Sequence, residues 1–563
     1  MKGAQIIIQS VIDNGVDTVF GYPGGTIIDI YDEIYKASDK LNHYITAHEQ
    51  GASHAADGYA RYSGKTGVVI ATSGPGATNL VTGIATAALD SVPMVAITGN
   101  VGMPLIGKDT FQEVDITGVT MPITKYNIMV KDIANLQKAI YDAFKIANTG
   151  RPGPVLVDVP KDIQQKDFPY IPKDEFLATY KTEIIINNVP SDNEIKMAAK
   201  LINESERPLI FSGGGVVIAE AAKKVEALAR KTDAPVMGTV MGLSALPFDY
   251  EKCLGMSGMH GTYSSARATD ECDLLIALGT RFSDRSTGDK TKYAKDATVL
   301  HIDIDPAEIS KNIPAQYEVV GELGYILDKL IADVDEVKRD DWGKQIAQFQ
   351  EEEAQKQDEG EHLGIEIIKA IGETAGENTP IVTDVGQHQM WTAQNIKFKR
   401  PRTFLTSGGL GTMGYGMGAA IGACLASSRE NTFLVIGDGG FHMNLNEMVT
   451  CVSNNLPVKI FVMNNNALGM VRQWQEIFYG KRYSSTVLNR KTNYVKLAEA
   501  FGGTGMSINC KEDIAPVIKK ALETEGPVIV DCKIATDDLV LPMIPPGGTN
   551  KDIIFTRKQI EER

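Results

Sequence analysis

Residues 432–465 read TFLVIGDGGFHMNLNEMVTCVSNNLPVKIFVMNN, and this stretch decides the fold. Its apolar runs at 433–436 and 458–463 are rich in β-branched and aromatic residues, which predicts two strands buried on both faces. Between them, the residues at 444–453 predict a helix. Two buried strands joined through a helix are the repeating unit of α/β proteins with parallel sheets.

Polar residues follow each of these two strands. Asp438 lies between glycines directly after the first strand, and Asn465 ends the Asn-Asn pair after the second. Because parallel strands bring their carboxyl ends to one edge of a sheet, these two side chains can share a hard cation. Mg²⁺ takes few oxygen ligands from a protein when phosphate oxygens complete its shell, and Gly439 and Gly440 let the backbone approach a diphosphate. The alternative is a plain turn after each strand, but the pair of motifs favours a metal–diphosphate site.

Similar apolar runs alternate with helical patterns along the rest of the chain. The clearest runs are at 67–71, 93–97, 154–157, 209–211 and 274–278. We therefore predict an α/β protein made of three doubly wound α/β domains with mainly parallel sheets.

Two stretches are typical of linkers. Residues 161–189 mix charges with prolines, and residues 344–362 form a charge run that predicts an exposed helix and a connector. The first and third parts close on related phrases, GPVLVDV at 153–159 and GPVIVDC at 526–532, which predicts duplicated folds around a different middle. The predicted domains are 1–165, 190–340 and 362–563.

The composition excludes several classes of protein. The 563 residues include 71 acidic and 56 basic ones, a net charge of −15, which argues against nucleic acid or an anionic membrane surface as partner. Six cysteines without a CxxC pair are typical of a reduced compartment. The charge-free stretch at 403–428 is crowded with glycine and predicts a buried loop and helix rather than a membrane span. We predict a cytoplasmic enzyme.

Further motifs resemble the thiamine diphosphate (ThDP)-dependent carboligases and decarboxylases. They are GYPGG at 21–25, HEQGA at 48–52, SGPGATN at 73–79 and GRPGP at 150–154. Within this superfamily the chain is most similar to the catalytic subunits of the biosynthetic, FAD-containing acetohydroxyacid (acetolactate) synthases. The discriminating stretches are RFSDR at 281–285, GQHQMW at 386–391, GMVRQWQ at 469–475 and LPMIPPGG at 541–548.

The resemblance assigns the central acid of the reaction to Glu49. In this family a glutamate at that position binds the aminopyrimidine ring of the coenzyme and favours the tautomer that removes the C2 proton. Taken alone, the position of Glu49 favours an ordinary acid in the first turn of a helix, and only the surrounding motifs favour a catalytic role. A zinc-binding HExxH motif is excluded because position 52 is alanine.

The resemblance also implies how the coenzyme is held. Gln387 and His388 would contact the diphosphate, and Met413 would wedge between the two rings; core packing is the alternative for Met413, and a surface or core position for His388. The GxGxxG at 409–414 is not a dinucleotide finger, because the strand leading to Asp438 follows it. The implied ThDP contacts are Gly25, Glu49, Gln387, His388, Gly411, Met413, Gly439, Gly440 and Met470, with Mg²⁺ on Asp438, Asn465 and Ala467.

The middle part resembles the FAD-contacting segments of the biosynthetic synthases. Glycines at 213–215 follow a strand and could cradle a phosphate, although a structural turn is the alternative. Many family members carry Asp where this chain has Ser283. The flavin would be structural, because the net reaction involves no redox change. The implied FAD contacts are Arg151, Gly213, Gly214, His260, Arg281 and Asp303.

The substrates implied by the resemblance are anionic 2-keto acids. Arg281 is the candidate for the carboxylate of the second keto acid, and Trp474 would narrow its site and favour an extra methylene. Phe111 and Gln112 would line the active centre from the first domain. Core packing remains the alternative for Trp474, and a polar loop position for Gln112.

The implied activity is decarboxylation of pyruvate and carboligation to a second 2-keto acid, the first common step of branched-chain amino acid biosynthesis. Glu49 and the Asp438 site would meet across a subunit interface, in a homodimer or homotetramer that could also bind a small regulatory subunit. The alternatives are a fermentative synthase without FAD, an FAD-dependent pyruvate oxidase and a non-catalytic binding subunit.

Overall fold

The computed structural model describes residues 1–180, 188–356 and 362–562. They form three six-stranded sheets in which every pair of neighbouring strands is parallel. This confirms the predicted α/β class with three parallel sheets. Parts of both predicted linkers, 181–187 and 357–361, lie outside the described residues.

The first sheet has the strand order β2-β1-β3-β4-β6-β5. Its strands are β1 Thr18–Tyr22, β2 Asn42–Ile45, β3 Gly67–Ala71, β4 Met94–Asn100, β5 Tyr126–Met129 and β6 Pro154–Pro160. The helices of this part are α1 Gly3–Asp13, α2 Ile28–Lys36, α3 Glu49–Ser63, α4 Pro75–Thr78, α5 Val81–Leu89, α6 Ile116–Thr120, α7 Leu136–Asn148, α8 Lys161–Gln165 and α9 Lys173–Thr179.

The middle sheet has the order β12-β11-β10-β7-β8-β9, which is the strand order of dinucleotide-binding folds. Its strands are β7 Pro208–Ser212, β8 Val236–Gly238, β9 Cys253–Met256, β10 Leu274–Leu278, β11 Thr298–Asp303 and β12 Tyr317–Val320. The helices here are α10 Asp192–Glu204, α11 Gly214–Ile218, α12 Ala222–Thr232, α13 Tyr263–Glu271, α14 Asp284–Thr287, α15 Leu323–Asp333 and α16 Asp340–Lys356.

The third sheet has the order β14-β13-β15-β16-β18-β17, the same relative order as the first. The two related closing phrases form β6 and β18, which occupy equivalent places in the two sheets. The strands are β13 Ile381–Thr383, β14 Phe404–Leu405, β15 Thr432–Gly437, β16 Val458–Asn464, β17 Thr504–Ile508 and β18 Val528–Lys533. The helices are α17 Leu363–Thr374, α18 Gln387–Asn395, α19 Tyr415–Ala426, α20 Asp438–Asn444, α21 Met448–Ser453, α22 Gly469–Phe478, α23 Tyr494–Phe501, α24 Lys511–Glu523 and α25 Arg557–Glu561.

Two helix predictions need correction. The helix predicted at 444–453 begins directly after β15, as α20, and continues through a 3₁₀ turn, Leu445–Glu447, into α21. The charge run predicted as an exposed helix belongs to α16, but Trp342, Ile346 and Phe349 bury one face of this helix in the core of the middle part. Their spacing of three to four residues makes α16 amphipathic despite its charges.

The first and third parts of the chain pack tightly through α3 and α19. An added Cβ on Gly58 would lie 2.2 Å from the Ala419 carbonyl oxygen, and one on Gly422 would lie 1.9 Å from the Ala55 carbonyl oxygen. Nearly all of α19 is buried, as predicted for the helix of the glycine-rich stretch at 403–428. The loop before it is only partly buried, because Gly409, Leu410 and Gly411 are exposed. Among the described residues, no helix is both long and apolar enough to cross a membrane.

Candidate active site

A cavity of about 550 Å³ lies between the carboxyl edge of the third sheet and the middle part of the chain. Neighbouring strands β15 and β16 deliver their ends to it, because Gly437 pairs with Met463 in the sheet register. This register places Asp438 and Asn465 at the same edge, and both line the cavity. The other predicted contacts that line it are Gln387, His388, Gly411, Met413, Gly439, Gly440, Ala467, Met470, Trp474 and His260.

The oxygens of Asp438 and Asn465 are suited to a hard cation. Asp438 Oδ1 accepts a hydrogen bond from the Gly439 amide at 2.9 Å, and Asn465 Oδ1 accepts one from the Ala467 amide at 3.0 Å. Both residues are almost fully buried, and burial raises the pKa of Asp438 to about 6. Arg490 offsets only part of this burial effect on Asp438. A buried carboxylate oxygen beside an amide oxygen is a donor set that fits Mg²⁺ with phosphate oxygens.

Gln387 and His388 begin helix α18 beside this pair. The Gln387 amide donates to the Asp538 carbonyl at 2.7 Å and to Gln473 Oε1 at 3.0 Å, which leaves its oxygen directed to Asn465. Burial lowers the pKa of His388 to about 3, so its ring is neutral at physiological pH. Its Nε2 is buried and has no partner among the described residues. A neutral ring nitrogen with unused hydrogen-bonding capacity fits a polar ligand such as a diphosphate.

The turn before α19 contains Met413 and is fixed by hydrogen bonds to Asp384. The Asp384 carboxylate accepts hydrogen bonds from the amides of Gly414 and Gly416, each at 2.9 Å to Oδ2. Gly411 adopts a φ of +68°, in the left-handed region that favours glycine. Met413 therefore projects from a fixed turn into the cavity, which is compatible with a wedge between two rings.

Across the cavity the middle part contributes a cation that the sequence analysis missed. The Arg285 guanidinium stacks over the Trp474 ring, 5.2 Å from its centroid, and donates to the sulfur of Met259 at 3.5 Å. Among the described residues that line the cavity, Arg285 is the one Arg or Lys. The two arginines of the RFSDR stretch separate because Arg281 lies in the loop after β10, whereas Arg285 lies on α14. Arg281, which the sequence predicts to bind the acceptor carboxylate, does not line the cavity.

Arg281 belongs to a second group at the edge of the middle sheet, with Arg151, Gly213, Gly214 and Asp303. Burial lowers the pKa of Arg281, and the positive charge of Arg151 lowers it further. Arg151 donates to Glu308 Oε1 at 2.6 Å. An added Cβ on Gly213 would lie 2.0 Å from the Gly279 carbonyl oxygen, so the ends of β7 and β10 approach closely at the point where the strand order reverses. Such switch points are where open α/β sheets bind ligands.

Buried polar atoms at this switch point have no partner among the described residues. They are Ser212 Oγ, Thr280 Oγ1 and His301 Nδ1. Asp303 is also buried there, and burial raises its pKa to about 6. Unsatisfied buried polar groups call for a ligand or bound water, and several at a dinucleotide-type edge fit a flavin nucleotide.

The third group lies in the first part of the chain and surrounds Glu49, the first residue of α3. Glu49 Oε2 accepts a hydrogen bond from the Asn79 amide at 3.0 Å, and an added Cβ on Gly76 would lie 3.2 Å from Oε1. Gln112 packs against the turn at Gly74, since an added Cβ on Gly74 would lie 2.9 Å from the Cα of Gln112.

The remaining two residues predicted for this group are open to solvent. Phe111 is 87 % exposed, and a Cβ on Gly25 would meet nothing within 4 Å. Of the described residues, none from the first sheet or its helices lines the large cavity. One chain thus keeps the Glu49 group apart from the Asp438 group.

Sequence comparisons show which proteins share this arrangement. Residues 1–119, 195–330 and 384–532 match the N-terminal TPP binding domain, the central domain and the C-terminal TPP binding domain of thiamine pyrophosphate enzymes. The acetolactate synthase of Mycobacterium leprae is 44% identical over 99% of this chain and 91% of its own length. Isozyme 2 large subunit of the acetolactate synthase of Escherichia coli K12 is 42% identical, over 98% of this chain and 99% of its own length.

The chain belongs to the acetolactate synthase large-subunit family. A probable acetolactate synthase large subunit of Methanocaldococcus jannaschii is 44% identical, over 98% of this chain and 95% of its own length. Membership confirms the resemblance seen in the motifs and makes the chain a ThDP-dependent carboligase with two ThDP-binding domains. A non-catalytic binding subunit is thereby set aside.

Proposed function

We propose that this chain decarboxylates pyruvate and joins the remaining two-carbon unit to a second 2-keto acid. Pyruvate as acceptor gives 2-acetolactate, and 2-ketobutyrate gives 2-aceto-2-hydroxybutyrate, the first common step of branched-chain amino acid biosynthesis. The observation that carries the proposal is one cavity with a metal–diphosphate donor set on one wall and the Arg285–Trp474 pair on the other. The first wall suits the coenzyme, and the second suits an anionic acceptor.

The third part of the chain would hold the coenzyme. Asp438, Asn465 and the backbone of Ala467 would bind Mg²⁺, and Gln387 and His388 would contact the diphosphate. Thiamine diphosphate, when bound, supplies a carbon nucleophile and an electron sink for decarboxylation. Further contacts would come from Gly411, Met413, Gly439, Gly440 and Met470, all of which line the cavity.

Glu49 would hold a proton between its carboxyl oxygen and the pyrimidine ring of the coenzyme. Asn79 already donates to Oε2, so Oε1 is the oxygen left to face the ring. Because the cavity lacks this group within one chain, we propose that Gly25, Glu49, Phe111 and Gln112 complete the site of a second copy. A homodimer, which would have two such sites, is the minimum, and a homotetramer would have four.

Exposed apolar side chains support this association. Phe111, Met121 and Ile28 protrude from the first part of the chain, and Met443 and Val471 protrude from the third, each more than 45 % exposed. Burying such surface against a second copy is favourable and would exclude water from the site. Several relatives are named as large subunits, which supports a small regulatory subunit as a further partner.

The acceptor carboxylate would bind Arg285, and Trp474 would contact its alkyl group. We prefer Arg285 to Arg281 for this contact because Arg281 lies outside the cavity, among the candidate FAD residues. One extra methylene against an apolar wall is worth about 1–3 kcal/mol, which is enough for preference between keto acids.

The middle part would bind FAD through Arg151, Gly213, Gly214, His260, Arg281 and Asp303. Its strand order and its unpartnered buried polar atoms support this. The flavin would support the fold around the cavity, since the proposed reaction transfers no electrons to it. All six cysteines are unpaired, which supports a reducing, cytoplasmic location.

The test is an add-back assay on the purified protein. Pyruvate alone and pyruvate mixed with 2-ketobutyrate are supplied, with ThDP, Mg²⁺ and FAD omitted one at a time. We expect both acetohydroxyacids to form, and activity to be lost without ThDP or Mg²⁺. Oxygen consumption stoichiometric with pyruvate would indicate an oxidase instead, and a colourless, fully active preparation would indicate a fermentative synthase.

A further inference from the structure

Glu447 is a fully buried acid that the reaction described above does not use. It ends the 3₁₀ turn Leu445–Glu447, which continues helix α20 from the candidate metal ligand Asp438. Its side chain is 0 % exposed, and it does not line the cavity. A buried carboxylate is costly unless several donors satisfy it, so its partners reveal its role.

The Glu447 carboxylate accepts hydrogen bonds from two successive backbone amides of the first part of the chain. Oε2 accepts a hydrogen bond from the Ala47 amide at 3.1 Å, and Oε1 accepts one from the His48 amide at 3.1 Å. The Thr450 hydroxyl donates to Oε2 at 2.7 Å. Bonds from amides to an ionised carboxylate are stronger than neutral ones. These amides directly precede Glu49.

The start of α3 is a favourable place for a carboxylate. The first amides of a helix lack partners within the helix and form its positive end, which favours a negative charge. Burial raises the pKa of Glu447, while the Thr450, Ala47 and His48 donors lower it. An added Cβ on Gly51 would lie 2.1 Å from Glu447 Oε1, so glycine at this position leaves the room that the carboxylate occupies.

Glu49 is thus fixed from two sides. Asn79 binds its side chain, and Glu447 binds the backbone that carries it. We propose that Glu447 is a positioning residue, which sets where the Glu49 carboxyl stands toward the coenzyme of the partner copy. This inference rests on the proposed function of Glu49. On this proposal, the segment from Asp438 to Glu447 begins at a candidate metal ligand and ends at the residue that positions the candidate catalytic acid.

The size of the effect follows from geometry. A displacement of a reacting group by about 1 Å costs about 10²-fold in rate. We therefore expect Glu447→Gln, whose amide group opposes one of the two backbone amides, to lower kcat by about 10²-fold. The KM for pyruvate should change less, because the substrate-binding wall at Arg285 and Trp474 is intact.

A second variant reaches the same contact from the other side. Gly51→Ala keeps Glu447 but displaces its carboxylate, and it should give the same kinetic signature. Asp233→Asn is the matched control: Asp233 is also a buried acid, which pairs with Lys252 at 2.7 Å and accepts a hydrogen bond from the Arg339 amide at 2.7 Å, within the middle part. It should leave kcat unchanged.

The experiment has two readouts besides turnover. Amide hydrogen exchange over residues 42–50 of the full-length protein reports the Ala47 and His48 bonds directly. The exchange rate of the C2 hydrogen of bound ThDP, followed by NMR after quenching, reports the action of Glu49. We expect Glu447→Gln and Gly51→Ala to raise the first and lower the second, with Glu447→Asp intermediate.

The outcomes separate this inference from the function on which it rests. The positioning role would be overturned if the two contact variants showed the amide exchange rates of the wild type. It would also be overturned if their amide exchange rose while C2 exchange and kcat stayed at wild-type values. If Glu49→Gln retains acetolactate formation and C2 exchange, then the role of Glu49 itself is wrong. If Glu49→Gln is inactive while both contact variants behave like Asp233→Asn, only the positioning role fails.

Discussion

Arg285 is the residue that we propose to bind the carboxylate of the acceptor keto acid. Its guanidinium lies over the Trp474 ring, and among the described residues that line the cavity it is the one Arg or Lys. We expect Arg285→Gln to raise the KM of the acceptor keto acid about tenfold or more, because a charge-assisted contact to a carboxylate is lost. The measurement is competition between pyruvate and 2-ketobutyrate as acceptors. Arg281→Gln serves as the comparison, and an equal acceptor defect in both variants would contradict the assignment.

His54 predicts a pH dependence of stability. It is fully buried, both ring nitrogens lack partners among the described residues, and its ring packs edge-on against Tyr415. Burial lowers its pKa to about 3, and Arg61 adds to the effect. The pKa of His54 is lower in the folded protein than in the unfolded chain, where it is about 6.5. The free energy of unfolding is therefore unaffected by His54 above about pH 6.5 and decreases as the pH falls below that value.

The variant His54→Leu removes this titration. At pH 5 the wild type should lose about 2 kcal/mol through His54, whereas the variant should not. The check is the difference in Tm between the two proteins, measured at pH 7.5 and at pH 5 by calorimetry. A Tm difference that does not change with pH would show that His54 does not carry the acid sensitivity.

At the scale of single residues, the sequence predicted chemistry better than location. Asp438 and Asn465 could be placed together because each follows a strand and neighbouring parallel strands end at one edge. The role of Glu447 could not be predicted, since its partners lie hundreds of positions away along the chain. Residue type alone could not show that Arg285, on α14, lines the cavity and that Arg281, in the loop after β10, does not.

At the scale of elements, helix α3 serves two parts of the chain. Its first residue is Glu49, and further along Asp57 is fully buried and the Arg61 side chain is 9% exposed, both against the third part. Arg61 pairs with Asp57 at 2.5 Å and with Asp90 at 2.9 Å, and Tyr415 donates to Asp57 at 2.8 Å. A buried network of this kind holds α3 against α19, because removing Arg61 would leave the Asp57 and Asp90 carboxylates buried without their cation.

The close contact of α3 and α19 can be tested with one methyl group. Gly422→Ala would place a Cβ 1.9 Å from the Ala55 carbonyl oxygen. Because this oxygen belongs to the backbone of α3, the clash can be relieved only if α3 or α19 moves. We expect a loss of about 1–3 kcal/mol, seen as a lowered Tm. Gly102→Ala is the control, since its Cβ would lie no closer than 3.7 Å to Asp162. Equal Tm values for Gly422→Ala and wild type would contradict this packing.

Element types were predictable where a run of β-branched residues was buried on both faces, as in β3 and β10, whose bounds match the predicted runs. Helix α20 was missed because its glycines disfavour a helix, and its start is imposed by the strand before it. The buried face of α16 was hidden among charges that dominate its composition.

At the scale of the whole molecule, the first and third sheets share one strand order and flank a middle sheet of another order. The repeated closing phrase indicated this before the structure did. The sequence alone could not show that Glu49 does not line the cavity of its own chain, because that follows from how the sheets are oriented. The candidate metal ligands Asp438 and Asn465 and the Arg285 side chain line the cavity, whereas Glu49 does not.

The central claim is that Glu49 of one copy acts on the coenzyme held by Asp438 and Asn465 of another. The most direct measurement mixes two inactive variants, Glu49→Gln and Asp438→Asn, which carry different tags so that hybrid dimers can be isolated. In a hybrid, one site carries both substitutions and the other carries neither. We predict that the hybrid recovers about half of the wild-type acetolactate formation, as expected for one intact site of two. A hybrid as inactive as its parents would contradict the account, since it would show that each site is built from a single chain.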